Sequence, residues 1–270
     1  MVHEHWQLRE SPFGSALNPK YFFASPVHDE ALARLLFLVE HRRRFGLLLG
    51  PAGTGKTLLF QVLTRQLRRQ RAAVASANLL GLDTHELIWQ LAADLGVNPS
   101  VRWPTFEIWR KLLDRIVENR YQRLTTVLLL DEIHEADPEV LHTVTRLTQC
   151  DVSPDGRLTI ISAGIGEHID RLGQRLLDAV ELRTALTPWQ ESDTAAFLAQ
   201  SIQIAGRDTP LFSREAAVRI HTLSAGVPRA ICRLADMALA AAAGGAGQED
   251  ITPETIAAVS EELEAIESGG

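Results

Sequence analysis

The chain predicts an α/β protein: a three-layer αβα domain with a parallel five-stranded sheet, followed by a small all-α domain. Two observations carry that expectation. Short apolar runs at 45–49, 73–77, 126–131, 158–163 and 179–183 alternate with helical stretches near 56–70, 84–95, 105–120, 138–149 and 167–177. Strands alternating with helices pair in parallel and need helices on both faces of the sheet. After Thr187-Pro188 the pattern changes, and only helical segments follow, at about 191–205, 213–224, 228–243 and 253–267.

Taken in order, residues 1–25 are rich in Pro, Asn and aromatics and should form an extended collar with little helix. Asp29 to Arg42 sets Leu32, Leu35, Leu36 and Val39 on one stripe, which marks an amphipathic helix. In the helical part, Ser213 and Thr252 read as N-caps, the latter with Pro253 at the first helical position. Gly206 and the cluster Gly244–Gly247 read as stops. The expected division is 1–188, collar included, and 189–270, with a hinge near 185–190.

The bulk composition sets limits. A chain of 270 residues, 46% hydrophobic, can build one large core or a medium and a small one. The formal net charge of −7 argues against a wholly basic nucleic-acid coat, while a local basic patch stays open. Cys150 and Cys232 form neither a C-x-x-C pair nor a disulfide framework, so a reducing cytoplasm is the expected home. Met1-Val2-His3-Glu4-His5-Trp6 lacks the basic and apolar regions of a secretory signal. No run approaches the roughly 18 apolar residues that cross a bilayer. The Ala-rich stretch Met237–Ala243 is far shorter, so membrane insertion is not expected.

The chemistry begins at Gly50-Pro51-Ala52-Gly53-Thr54-Gly55-Lys56-Thr57, which fits G-x-x-x-x-G-K-[ST]. An apolar strand precedes it and a helix starting with Lys56, Thr57 and Leu58 follows, the context that a phosphate-binding loop needs. Glycines let backbone N–H groups close on a polyphosphate, and the helix N-terminus adds a favourable dipole. Lys56 is placed to reach the β/γ-phosphates, and the Thr57 hydroxyl to hold Mg²⁺. The fold class sharpens to a P-loop NTPase that binds ATP, with residues 50–58 as its phosphate cradle.

A second motif follows. Val127-Leu128-Leu129-Leu130-Asp131-Glu132 is an apolar strand ending in two carboxylates. In open α/β sheets ligands bind at that end of the strands. Asp131 is the candidate Mg²⁺ holder, and Glu132 the candidate base for an attacking water. The extra carboxylate favours hydrolysis over transfer to a bound acceptor, as a kinase would perform. His134, Glu135 and Asp137 come next, but their spacing is not a zinc pattern. His134 reads either as a polar residue near the γ-phosphate or as an ordinary loop residue.

With these residues in view, the chain resembles the AAA+ ATPases, and within them the bacterial group of ExeA, TniB and MuB. Ser25-Pro26-Val27-His28-Asp29-Glu30-Ala31-Leu32 is similar to that group's S-P-x-H-x-E-A-L segment, and Phe13, Asn18-Pro19 and Tyr21-Phe22 to its collar. The resemblance implies that Tyr21, Phe22 and His28 lie against the adenine. Gly226-Val227-Pro228-Arg229-Ala230-Ile231-Cys232-Arg233-Leu234 is similar to the group's G-x-P-R-x-I-N-R-L segment. It implies an AAA+ lid over 189–270 and a phosphate-sensing role for Arg229. Gln174-Arg175 resembles a Q-R pair and implies that Arg175 reaches the γ-phosphate of a neighbouring subunit, with Arg171 as a rival. An ATP-dependent homo-oligomer acting on a protein or protein–DNA partner follows as the expectation.

The chain departs from the group in one place. Leu158–Ala163 should end near an amide that positions water, yet Gly164-Ile165-Gly166-Glu167 stands where the group has G-Q-P-E. Ile165 cannot polarise water, which leaves Ser162 as a weak substitute. Slow or partner-dependent hydrolysis is expected, and a nucleotide-gated adaptor is the alternative. Arg42-Arg43-Arg44 and the group Arg65, Arg68, Arg69 and Arg71 read as solvated faces, so weak or no DNA binding by the isolated chain is expected. Trp103, Phe106 and Trp109 lie three apart, the spacing of a core or interface stripe.

Overall fold

A computed structural model describes residues 2–14, 17–244 and 250–268. In chain order the elements are α1 (Val2–His5), α2 (Pro26–Glu40), β1 (Phe45–Leu49), α3 (Lys56–Arg69), β2 (Ala73–Asn78), α4 (Thr84–Asp94) and α5 (Thr105–Tyr121). There follow β3 (Thr126–Asp131), α6 (Pro138–Leu147), β4 (Leu158–Gly164), α7 (Gln174–Asp178) and β5 (Leu182–Ala185). The rest is helical: α8 (Glu191–Ile204), α9 (Arg214–Ser224), α10 (Pro228–Ala243) and α11 (Pro253–Ser268). The chain forms two compact units, one of Asp29–Ala52 and Leu59–Leu186, the other of Met1–His28, Gly53–Leu58 and Thr187–Gly270.

The first unit is built on one sheet of order β2-β3-β4-β1-β5, parallel throughout. β3 and β4 are buried along their whole length, as Leu- and Ile-rich strands in a parallel sheet require. One core gathers Phe45, Leu47, Leu128, Leu130 and Ile160 from the sheet with Leu87, Leu91, Leu112 and Val144 from the helices. α4 starts where Asp83 and Glu86 exchange backbone bonds in a capping box. Trp103 and Trp109 pack against the core, whereas Phe106, on the same stripe, is exposed. Arg65, Arg68, Arg69 and Arg71 lie on the outer face. Arg43 and Arg44 flank Glu181 at 3.4 and 3.7 Å.

One stretch differs from expectation. The helix expected over 167–177 is a 3₁₀ segment, Gly166–Leu172, then a break, then α7. Gly173 makes the break with φ +74°, a conformation that interrupts helical bonding. Ala179 and Val180 then close the turn of α7 by donating to Leu176 and Leu177, so the strand begins at Leu182 rather than near 179.

In the second unit, α8–α11 enclose a core of Phe197, Ile202, Ile220, Ile231, Leu234 and Val259. Ser213 caps α9 by accepting from Ala216 N at 3.1 Å. Gly244 caps α10, while Gly245–Gly247 lie outside the described residues. The collar, counted above with the first domain, belongs to this unit. Trp6, Leu8 and Phe13 are buried in the helical core, and the Trp6 indole donates to Leu239 O at 2.9 Å. No helix among the described residues is long and apolar enough to cross a membrane.

Candidate functional site

The loop Gly50–Thr57 leaves β1 at the sheet edge where β3 and β4 also end. Gly50 N donates to Gly164 O at 3.2 Å, which ties the loop's start to the end of β4. Gly53 and Gly55 have φ of +80° and +95°, conformations that side chains rarely adopt. A Cβ at Gly53 would sit 3.0 Å from Arg229 Cβ and Val227 Cγ1, and one at Gly55 would sit 3.0 Å from His28 Nε2. Both glycines are therefore required twice, by conformation and by space. Thr54 and Lys56 are buried, and α3 begins at Lys56 itself. The first N–H groups of a helix point out of its N-terminus, a direction suited to phosphate oxygens.

His28 buttresses this loop. The Trp189 indole can only donate, so the His28 Nδ1 that it meets at 3.2 Å is an acceptor. The Ser25 hydroxyl donates to the same nitrogen at 2.8 Å. His28 is thus the Nε2–H tautomer, and that N–H donates to Thr54 O at 2.9 Å. The ring, 3% exposed, spends both nitrogens inside the unit. Of the residues expected against the adenine, Phe22 stands edge-on to His28 at 5.9 Å, and Tyr21 is buried with its hydroxyl on Glu10 Oε1 at 2.8 Å. Burial and that hydrogen bond push the Tyr21 phenol well above its ordinary pKa. Arg229 joins the loop through its backbone, Arg229 N donating to Gly53 O at 3.1 Å, and its side chain is exposed.

At the same sheet edge β3 ends in Asp131, 6% exposed, whose register partner on β2 is Asn78. Glu132 follows in the left-handed region, φ 53°. For a residue other than glycine that costs on the order of 1 kcal/mol. The Asp131 side chain offsets it by accepting the Glu132 N–H at 2.9 Å. The turn sends the Glu132 side chain out of the strand's alternation, and it keeps 31% of its exposure. Strain of this kind concentrates where a side chain must be aimed.

The end of β4 lacks the expected polar group. Ser162 is fully buried and its hydroxyl has no hydrogen-bond partner; Ile165 is apolar. His134 instead lies beside Gly164, with Nδ1 3.5 Å from Glu132 Oε2 and Nε2 3.4 Å from Glu135 Oε1. Arg175 and Arg171 are exposed, on α7 and the 3₁₀ segment before it, at a cavity of about 610 Å³ that Arg146 and His142 also line. The sequence reading missed Ser25 and Trp189 as partners of His28. Ser25 carries a local signal, three residues before His28 at a helix start; Trp189, 161 positions away, carries none.

Comparisons with known proteins agree with this construction. Residues 39–172 match the AAA domain family. General secretion pathway protein A of Aeromonas hydrophila is 31% identical over 251 residues, 90% of this chain and 45% of its own length, so the chain spans less than half of that relative. Among solved structures, Cdc6p of Pyrobaculum aerophilum superposes with TM-score 0.69 at 20% identity, covering 90% of this chain and 70% of that one. The Orc1 protein of Aeropyrum pernix, solved in complex with DNA, gives 0.68 at 17%, covering 90% and 67%. Residues 39–172 thus match the AAA domain family on a P-loop NTPase fold, and the chain is similar to General secretion pathway protein A.

Proposed function

We propose that the chain binds ATP with Mg²⁺ and hydrolyses it, as a nucleotide-driven motor or switch acting on a protein or protein–DNA partner. One observation carries the reading: a loop whose two left-handed glycines exclude side chains leaves β1 at the sheet edge where Asp131 and Glu132 end β3. Gly50–Leu58 bind the phosphates through backbone N–H groups, with the Lys56 ammonium on the β/γ oxygens. The donor set suits a hard divalent cation, the Thr57 hydroxyl and the Asp131 carboxylate being oxygen ligands. Mg²⁺ would neutralise charge on the phosphates there. Glu132 takes the proton from the attacking water, and its 31% exposure leaves that carboxylate reachable by solvent. The α/β part of the chain acts as the nucleotide-binding domain and the helices of 189–270 as the lid, with Arg229 reading the phosphates. Arg175 reaches the nucleotide of a neighbouring copy in an ATP-dependent homo-oligomer.

The adaptor reading, in which the chain binds ATP but scarcely turns it over, is favoured by the buried Ser162 hydroxyl and by Ile165. The test is ATP turnover per subunit as protein concentration rises, with Lys56→Ala, Glu132→Gln and Arg175→Ala alongside. Motor function requires a rate that climbs with concentration and is lost in the arginine variant. ATP binding with turnover near zero at every concentration selects the adaptor.

A further inference from the structure

We propose that His134 is a positioning residue for Glu132, supplying at this site the polar group that the end of β4 lacks. The proposal rests on Glu132 being the base.

The imidazole is in an unusual position. It follows the strand end in a short 3₁₀ turn, Ile133–Glu135, where an ordinary loop histidine would be solvated, yet its side chain is only 3% exposed. Its Nδ1 has no hydrogen-bond partner, one of two such buried side-chain atoms among the described residues; the other is the Ser162 hydroxyl. Leaving a buried polar atom unpaired costs about 1–3 kcal/mol, a penalty that an apolar residue would avoid. Glu135 Oε1 approaches the other nitrogen, Nε2, at 3.4 Å, and the acid facing Nδ1 is Glu132, Oε2 lying 3.5 Å away. A shift of roughly half an ångström converts that approach into a hydrogen bond.

The surroundings fix the ring in this place. A Cβ at residue 164 would crowd Ile133 Cγ2 at 3.0 Å and touch His134 Nδ1 at 3.4 Å, so the imidazole lies directly against the end of β4. His168 stacks on it nearly parallel, 11° between planes and 5.7 Å between centroids. Arg171 donates to the His134 carbonyl at 3.5 Å, holding the backbone. His168 covers the ring, Gly164 lies beside it and Arg171 holds its backbone, while the nitrogen facing Glu132 is left unpaired. A buttress needs no polar atom there; a group that orients a carboxylate does. The left-handed turn aims the Glu132 side chain out of the strand, and His134 sets where its oxygens point.

The test uses the full chain and follows kcat and KM for ATP, nucleotide affinity by fluorescence titration, and thermal unfolding. His134→Ala and His134→Leu remove the nitrogen; the leucine also refills the space over Gly164, so it decides alone if the alanine variant does not fold. Expected for His134→Leu is a kcat lower by about ten- to a hundredfold, with KM and affinity within about twofold and a melting temperature no lower than the parent's. His134→Gln, which returns an amide, recovers much of the loss. In a Glu132→Gln background, replacing His134 has no further effect. The proposal is overturned if His134→Leu keeps kcat within twofold, if kcat falls only in step with stability or affinity, or if the two replacements act independently. A parent chain that binds ATP without turnover removes the base role of Glu132 itself, and this proposal with it. A parent that turns over ATP beside an equally fast His134→Leu variant removes the proposal alone.

Discussion

Replacing His28 by Ala tests whether its imidazole, as the Nε2–H tautomer, holds the glycine loop through Thr54. The substitution removes the acceptor of the Trp189 indole N–H, the acceptor of the Ser25 hydroxyl and the donor to Thr54 O, bonds of 3.2, 2.8 and 2.9 Å. Trp189 is 6% exposed, so its N–H is stranded, at about 1–3 kcal/mol. Losing the bond to Thr54 adds about 1 kcal/mol, and the space left by the ring is a further cost. A total near 3 kcal/mol lowers the melting temperature by roughly 6–12 °C for a chain of this size. Thermal unfolding followed by near-ultraviolet circular dichroism measures it. Trp189→Phe removes the stranded donor while keeping an aromatic ring against Phe23 and Phe197. The double variant should therefore lose about 1 kcal/mol less than the sum of the two single ones. A drop below about 2 °C for His28→Ala, or strict additivity in the pair, would refute the hydrogen-bond reasoning.

Two further outcomes follow from the geometry. Gly55→Ala must force a side chain into φ +95° and against His28 Nε2, so ATP binding measured by calorimetry should vanish together with a loss of stability of about 2 kcal/mol or more. Burial, and secondarily Asp236, push the Cys232 thiol from 9.0 up to about 12. The folded form therefore holds this proton where the unfolded chain releases it. That contribution to stability is intact below about pH 9 and is lost as pH rises toward about 12. In the folded protein at pH 8, Cys232 should react with a thiol reagent far more slowly than in the unfolded chain; equal rates would show that the thiol is not shielded.

Much of the fold was legible because it rests on patterns with a local cause. The runs at Phe45–Leu49, Thr126–Asp131 and Leu158–Gly164 are short and largely apolar on both faces, as a strand buried on both sides requires. Ser213 and Pro253 marked helix starts by chemistry confined to a few residues. The segment 166–185 was harder: its apolar residues suit a helix or a strand, and the outcome turned on Gly173, whose backbone breaks the helix, and on where β1 takes its partner. Collar membership was hidden too, because Trp6, Leu8 and Phe13 find their core only once α8–α11 exist.

The sequence by itself determined the phosphate loop, the carboxylate pair and the order of strands and helices, since each follows from neighbouring residues and their spacing. Only the tertiary structure decided what the histidines do. His28 became a buttress because Trp189, distant in the chain, offers it an N–H, and His134 came to lie beside Gly164 because β3 and β4 are neighbours in the sheet. Hydrogen-bond partners of a buried ring are set by what the fold brings within about 3 Å, and spacing along the chain does not encode that distance.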